Sequence, residues 1–229
     1  FHGPPAARVS TTDNLVALGR TLDSLNVRLM VVADNVTGER LQNTVKAVRE
    51  TPAMKDRVRV LTGIDLRNVG EPGWAARAVQ QLEASVAAGA VGVGEVGKGF
   101  GLSTRKADGT RLKLDDPDLK PIWDAAARLR IPVFIHTADP PAFFQPLDYS
   151  NERWLEMALF GERRYPADRF PTFEQLMTER VNLFRNNPRT TFVTAHMGWH
   201  ANDLGRLGKL LTELPNVYTE VGAVLYDIG

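Results

Sequence analysis

The chain has 229 residues, 43% hydrophobic and 24% charged, with 28 basic and 27 acidic side chains and no cysteine. That balance excludes a disordered chain and a nucleic-acid binder living on a positive field, and the missing thiols exclude disulfides, zinc ribbons and cysteine nucleophiles. Any metal must therefore sit on His, Asp or Glu. No apolar run approaches the roughly 18 residues that cross a bilayer, so no membrane partner is expected. Phe1 opens the chain without a charged-then-apolar leader, which leaves the compartment open between cytoplasm and export.

A helical pattern runs from Thr12 to Leu25, and the first β-rich run follows at 27–34 (VRLMVVAD). Further runs lie at 58–65, 90–96, 131–137, 190–197 and 217–223. They are mostly continuous rather than alternating, which fits strands of a parallel sheet covered on both faces. Helical patterns fill the gaps. Val79, Leu82 and Val86 share a helical face ahead of a stop at Gly89. Asp116 is a cap and Pro117 a first-turn residue for a helix burying Leu119, Ile122, Ala126 and Leu129. Thr172 and Gln175 make a capping-box pattern before Phe173, Leu176 and Leu183, and Leu204, Leu207, Leu211 and Leu214 precede Pro215.

Strict β-α alternation predicts a parallel α/β fold, either a closed (β/α)8 TIM-type barrel or an open doubly wound sheet. No glycine-rich phosphate loop follows the first run, and polar residues close several runs (Asp34, Asp65, Glu95, His136, His196), which favours the barrel. A barrel needs eight strands and six are legible, so the first and last are expected outside this segment. One domain over 1–229 is expected. Residues 138–171 break the rhythm. They hold five of the 14 prolines and seven aromatic residues, and a long irregular connection on the active face of a barrel reads as a lid. A packing extension or a subunit contact within a homo-oligomer is the alternative for such aromatics.

His136 in PVFIHT and His196 in FVTAHMG close successive strands, where neutral imidazoles from the barrel mouth can share one divalent ion. Glu95 ends a strand rich in glycine and valine and needs a cation, either Lys98 or a metal shared with the two histidines. His2 stands where a preceding strand would end and is a fourth ligand candidate, with a frayed terminus as the alternative. Asp34 and Asp65 occupy equivalent strand ends, where orienting substrate is one reading and capping after a strand the favoured one. Trp199 and His200 are placed to line a pocket wall, and Asp139 and Arg153 to meet an anionic group of a small-molecule substrate. No G-x-S-x-G, G-x-x-x-x-G-K-[ST] or H-E-x-x-H pattern is present, which leaves a metal-assisted site.

The segments 132–154 (PVFIHTADPPAFFQPLDYSNERW), 192–199 (FVTAHMGW) and 215–223 (PNVYTEVGA) together resemble the amidohydrolase-related group of the amidohydrolase superfamily. The resemblance implies a (β/α)8 barrel with one or two divalent ions, zinc foremost, at its mouth. It matches His136 to the fifth-strand histidine and His196 to the sixth-strand histidine. Its first-strand H-x-H pair and eighth-strand catalytic aspartate are not visible, except that His2 is placed as a remnant of the former. Glu95 in GEVG is similar to the strand-four, metal-bridging glutamate of the TatD-type branch. The implied reaction is hydrolysis of an amide, lactone or ester of a small cyclic or sugar-like compound by metal-activated water. Non-oxidative decarboxylation on the same cradle is the enzymatic alternative, with Lys98 and Arg153 as the candidates to bind a substrate carboxylate, and a binding protein that has lost the ions is the non-enzymatic one.

Overall fold

Strands whose outer face is apolar must bring their own helices to cover it, and the chain delivers at least one between each pair of successive strands. The computed structural model describes residues 9–225 and Ile228. The Thr11 hydroxyl accepts from the Asn14 N–H at 3.3 Å and starts α1 (Thr12–Ser24). There follow β1 (Met30–Val32), α2 (Gly38–Glu50), β2 (Val58–Val60), α3 (Trp74–Ala88), β3 (Val93–Val96) and a short kinked turn, α4 (Gly99–Leu102). The second half comprises α5 (Lys120–Leu129), β4 (Val133–Ile135), α6 (Trp154–Leu159), α7 (Phe173–Asn186), β5 (Phe192–Thr194), α8 (Leu204–Glu213) and β6 (Val217–Thr219).

All pairings are parallel. β1 pairs with β2, and β3, β4, β5 and β6 form a four-stranded sheet in chain order. Thr62 joins the two sheets through a bridge to Val93, its N–H donating to the Gly92 carbonyl at 2.8 Å. The six predicted strands are thus all present and in barrel order, but among the described residues no ladder closes β6 onto β1. Each strand is shorter than its apolar run. The backbone turns out of the extended region soon after several of them, with positive φ at Asn35, Ala138 and His196, and those turns carry the polar residues.

Burial alternates along the strands. Val133, Ile135 and Phe192 are buried in a core that includes Trp123 of α5 and Phe184 of α7, while Met30 and Val32 are buried in a second cluster with Leu15 of α1 and Leu41 of α2. The intervening Val31, Phe134 and Val193 are only half-buried and line a cavity of about 290 Å³ with Leu61, Val91 and Glu220. The two faces are therefore unequally covered, a distinction that continuous apolar runs did not reveal.

The predicted helix signals are realised with two changes. Asp116 caps a short 3₁₀ turn, Pro117–Leu119, which leads into α5. The Thr172 hydroxyl accepts from the Gln175 N–H at 3.2 Å, but the Gln175 amide donates to Glu179 at 3.2 Å rather than turning back, so only half of the capping box forms. The 138–171 segment is more regular than expected. It contains α6 and 3₁₀ turns at Pro141–Phe144 and Gly161–Arg163, and it is anchored by buried Phe143, Met157 and Tyr165. No helix among the described residues is long and apolar enough to cross a membrane.

Phe192 is fully buried, with its ring centroid 4.9 Å from Phe184 and 6.0 Å from Trp123. Phe192→Ala is expected to cost about 3–5 kcal/mol in urea-denaturation stability. A loss below about 1 kcal/mol would show that this helix–strand layer is not the core.

Candidate metal centre

Parallel strands deliver the residues after their carboxyl ends to one rim, and three such positions meet there. Glu95 lies in β3, His136 directly follows β4, and His196 follows β5 with Ala195 between. Each offers a ligand atom within 4.8 Å of the other two. The imidazole centroids are 4.6 Å apart at an interplanar angle of 81°. Glu95 Oε1 lies 2.5 Å from His136 Nδ1, a contact that places the proton on Nδ1 and leaves Nε2 with a lone pair.

That Nε2 is buried and finds no hydrogen-bond partner among the described residues; the same holds for Thr137 Oγ1 and Trp199 Nε1. Buried polar atoms without partners are uncommon and call for an explanation. Two imidazoles and a carboxylate are a donor set for divalent ions of the zinc class, whose paired bonds of about 2.0–2.2 Å span roughly 4 Å. The residues present therefore fit a metal, and His136 Nε2 is the atom that most needs one.

His196 is held from behind. Its Nδ1 lies 2.8 Å from the Gly222 carbonyl and 3.2 Å from Glu220 Oε1, and its backbone N–H donates to the same Glu220 oxygen at 2.5 Å. Glu220 Oε2 accepts from the Gly222 N–H. Burial works against a charged His196, but the bonds to Glu220 and Gly222 outweigh it and raise its pKa above the usual value. Burial likewise pushes Glu220 up, yet its bonds to the His196 side chain and backbone prevail and bring it down to about 2. An Nδ1–H bonded to a carbonyl or carboxylate turns Nε2 toward a ligand role.

The remaining expected residues take varied places. Lys98 Nζ reaches Asp139 Oδ2 at 3.0 Å rather than serving as the cation for Glu95. Asp139 also accepts from the buried Tyr165 hydroxyl, so it ties the 138–171 segment to the loop after β3. Burial and this carboxylate together raise the Tyr165 pKa. Arg153 lies 3.3 Å from Glu156 and 5.9 Å from the Phe143 ring centroid. The Trp199 ring stands 4.8 Å from His196 and 5.8 Å from His136. His200 is buried and turns Nε2 to Arg180 Nη2 at 3.0 Å, away from the role of pocket wall. Asp34 pairs with Arg40 and Asp65 with Arg67, in keeping with modest local roles. His2 lies outside the described residues.

A cavity of about 780 Å³ is lined by residues at and after the ends of β1, β2 and β3 that include Asn35, Asp65, Val96, Lys98 and Arg105; Glu95, His136 and His196 are not among them. Of Lys98, Asp139, Arg153, Trp199 and His200, Lys98 alone contributes to this lining, and Asp65 joins it. Two residues that hold the site escaped the sequence reading. Glu220 sits in TEVG, the same strand-end pattern that singled out Glu95 in GEVG. Arg180 is a charge on the predicted apolar face of α7, between Leu176 and Leu183.

The amidohydrolase family model matches residues 8–227. No curated protein matches the chain in sequence. Among solved structures, an uncharacterized TIM-barrel protein from Bordetella bronchiseptica superposes with a TM-score of 0.55 at 15% identity, over 93% of this chain and 61% of its own. A candidate amidohydrolase from Staphylococcus aureus gives 0.51 at 16% identity, over 95% of this chain and 76% of its own. The chain thus spans less than two thirds of the first of these relatives. At such identities the likeness concerns the fold, which is of the TIM-barrel type.

Glu220→Gln keeps the shape but removes the charge that three neighbouring donors share. A loss of about 1.5–3 kcal/mol in stability is expected near neutral pH. A depressed carboxyl pKa adds stability that is present above its ordinary value of 4.5 and fades as pH falls through about 2. The gap between variant and wild type, read by denaturant titration, should narrow over that interval; a gap unchanged down to the acid limit would contradict the assignment.

Proposed function

The chain belongs to the amidohydrolase family, and we propose that it is a metal-dependent hydrolase acting on an amide, lactone or ester bond of a small cyclic or sugar-like substrate. The observation that carries this reading is the convergence of Glu95, His136 and His196 with an unpartnered, buried Nε2 on His136. In it, these three residues hold a divalent ion, zinc foremost. Such an ion supplies a water acidic enough to ionise near neutral pH and a Lewis acid for the scissile carbonyl.

The chain's own residues do the rest. Glu95 fixes the His136 tautomer, and Glu220 with the Gly222 carbonyl fixes that of His196, so both rings meet the ion as neutral donors. Trp199 packs against both imidazoles and offers its indole N–H to a bound substrate. Lys98 orients an anionic or polar group from the cavity wall, held in place by Asp139. The 138–171 segment acts as a lid, braced internally by the Tyr165–Asp139 bond and tied to the loop after β3 by Lys98, which excludes bulk water during turnover. His2 remains a candidate fourth ligand, and Arg153 a lid residue positioned by Glu156.

Metal analysis of protein prepared without chelator tests the reading. About one divalent ion per chain is expected in the wild type, and less than a tenth of that in His136→Ala, with hydrolysis of a cyclic amide and lactone panel falling at least ~100-fold. A wild type that carries no ion and gains no activity on adding Zn²⁺ or Mn²⁺ would leave the binding-protein alternative instead.

A second reading, non-oxidative decarboxylation, is favoured by one observation: Arg67, Lys98 and Arg105 line the cavity beside the single carboxylate of Asp65. Such a wall suits a substrate carboxylate. Released CO₂ against released amine or alcohol separates the two, and Lys98→Met is expected to raise KM about tenfold or more for an anionic substrate, consistent with loss of one charge-assisted bond. An unchanged KM would remove Lys98 from substrate recognition.

A further inference from the structure

The turn that carries His196 is conformationally costly. His196, Met197, Gly198 and Trp199 have φ values of 56°, 52°, 58° and 57°, all in the left-handed region. Three of the four carry side chains, for which this region is disfavoured by roughly 1–2 kcal/mol each. Such a segment persists only when its surroundings over-determine it. From the strand side, Met197 N–H donates to the Glu220 carbonyl at 2.8 Å and Gly198 N–H to the Ala195 carbonyl at 2.8 Å.

The other side is held by one guanidinium. Arg180 projects from α7 and is fully buried. Nη1 donates to the Gly198 carbonyl at 2.9 Å and reaches Thr194 Oγ1 at 3.4 Å, and Nη2 lies 3.0 Å from His200 Nε2. The contacts bracket His196, touching the strand residue before it and the turn residues after it. They also explain the glycine: a Cβ at position 198 would stand 2.9 Å from Arg180 Nη1. His200 can receive this donor only as a neutral imidazole. Burial first, and then the neighbouring Arg180 and Arg206 charges, push it down to about 3, so it stays neutral. No ion pair to Arg180 occurs among the described residues, so hydrogen-bond geometry rather than charge neutralisation is what the fork provides there.

We infer that Arg180 is a positioning residue, which through Gly198, Thr194 and His200 holds the left-handed turn that presents His196 to Glu95 and His136. The inference rests on His196 being a metal ligand, and it goes beyond that reading by assigning the ligand's orientation to a buried fork on the helix behind it. Lysine keeps the charge but cannot reach several acceptors at once, and leucine at 200 removes one acceptor while keeping an apolar fill.

The test is titration of metal-free wild type, Arg180→Lys, His200→Leu and His200→Gln with Co²⁺, read by the binding isotherm and the visible d–d absorption. Nitrogen-15 spectra of the imidazoles are recorded on the same metal-free samples. Arg180→Lys and His200→Leu are expected to weaken Co²⁺ about 10–100-fold and to alter the d–d band, while His200→Gln, which keeps an acceptor, recovers most of the loss. Should Arg180→Lys misfold, the His200 pair carries the comparison alone. Wild-type affinity and an unchanged band in His200→Leu would overturn the proposal. If the wild type itself takes up no Co²⁺, the metal reading fails and the imidazole spectra decide. Displaced His196 ring signals in His200→Leu uphold the positioning role, and superimposable ones refute it.

Discussion

A carboxylate and two imidazoles meeting at the rim of a parallel sheet is the constraint from which the rest follows. Glu95 occupies one side of His136, and the other nitrogen of that ring is buried without a partner in the described protein. Polar atoms in such a position cost free energy unless something binds them. The surrounding structure stabilises this concentration of donors instead of dissolving it. Each of the three sits at or just past a strand end, where the hydrogen-bonded ladder limits its movement, and His196 is further held by Glu220 and Gly222.

The support is distributed over elements distant in sequence. Glu220, after β6, binds both the backbone and the side chain of His196. Arg180, from α7, secures the turn on its far side. Asp139 gathers Lys98 and Tyr165 and thereby couples the cavity wall to the 138–171 segment. A mutation at any of these positions would alter the surroundings of Glu95, His136 and His196 without replacing one of them, as residues that orient metal-binding side chains do in the proposed metal centre.

Much of this was legible in the sequence. Apolar runs bounded by helical patterns gave six parallel strands in order, and the polar residues closing those runs gave Glu95, His136 and His196. What was not legible has physical reasons. Strand lengths were overestimated because apolar residues continue into the turns: Val96 belongs to β3, but Ala195 and Met197 lie outside any strand. Glu220 was passed over because an isolated carboxylate in a β-rich run has no periodic signature, although TEVG repeats the GEVG pattern. Arg180 was hidden because side-chain direction on a helix is read from apolar spacing, and a lone cation on that face registers as an interruption. The 138–171 segment looked irregular because its proline and aromatic content masks the short α6. His200 was read as a pocket residue, whereas its neighbour across the turn is a buried guanidinium.

The most direct measurement is a crystal structure of protein grown with Zn²⁺, with anomalous data collected on both sides of the zinc absorption edge. The account predicts a peak that appears only above the edge and lies within about 2.0–2.2 Å of His136 Nε2, with His196 and Glu95 completing its contacts. A peak bound elsewhere, or none at this cluster while His136 Nε2 bonds to a protein group, would contradict it.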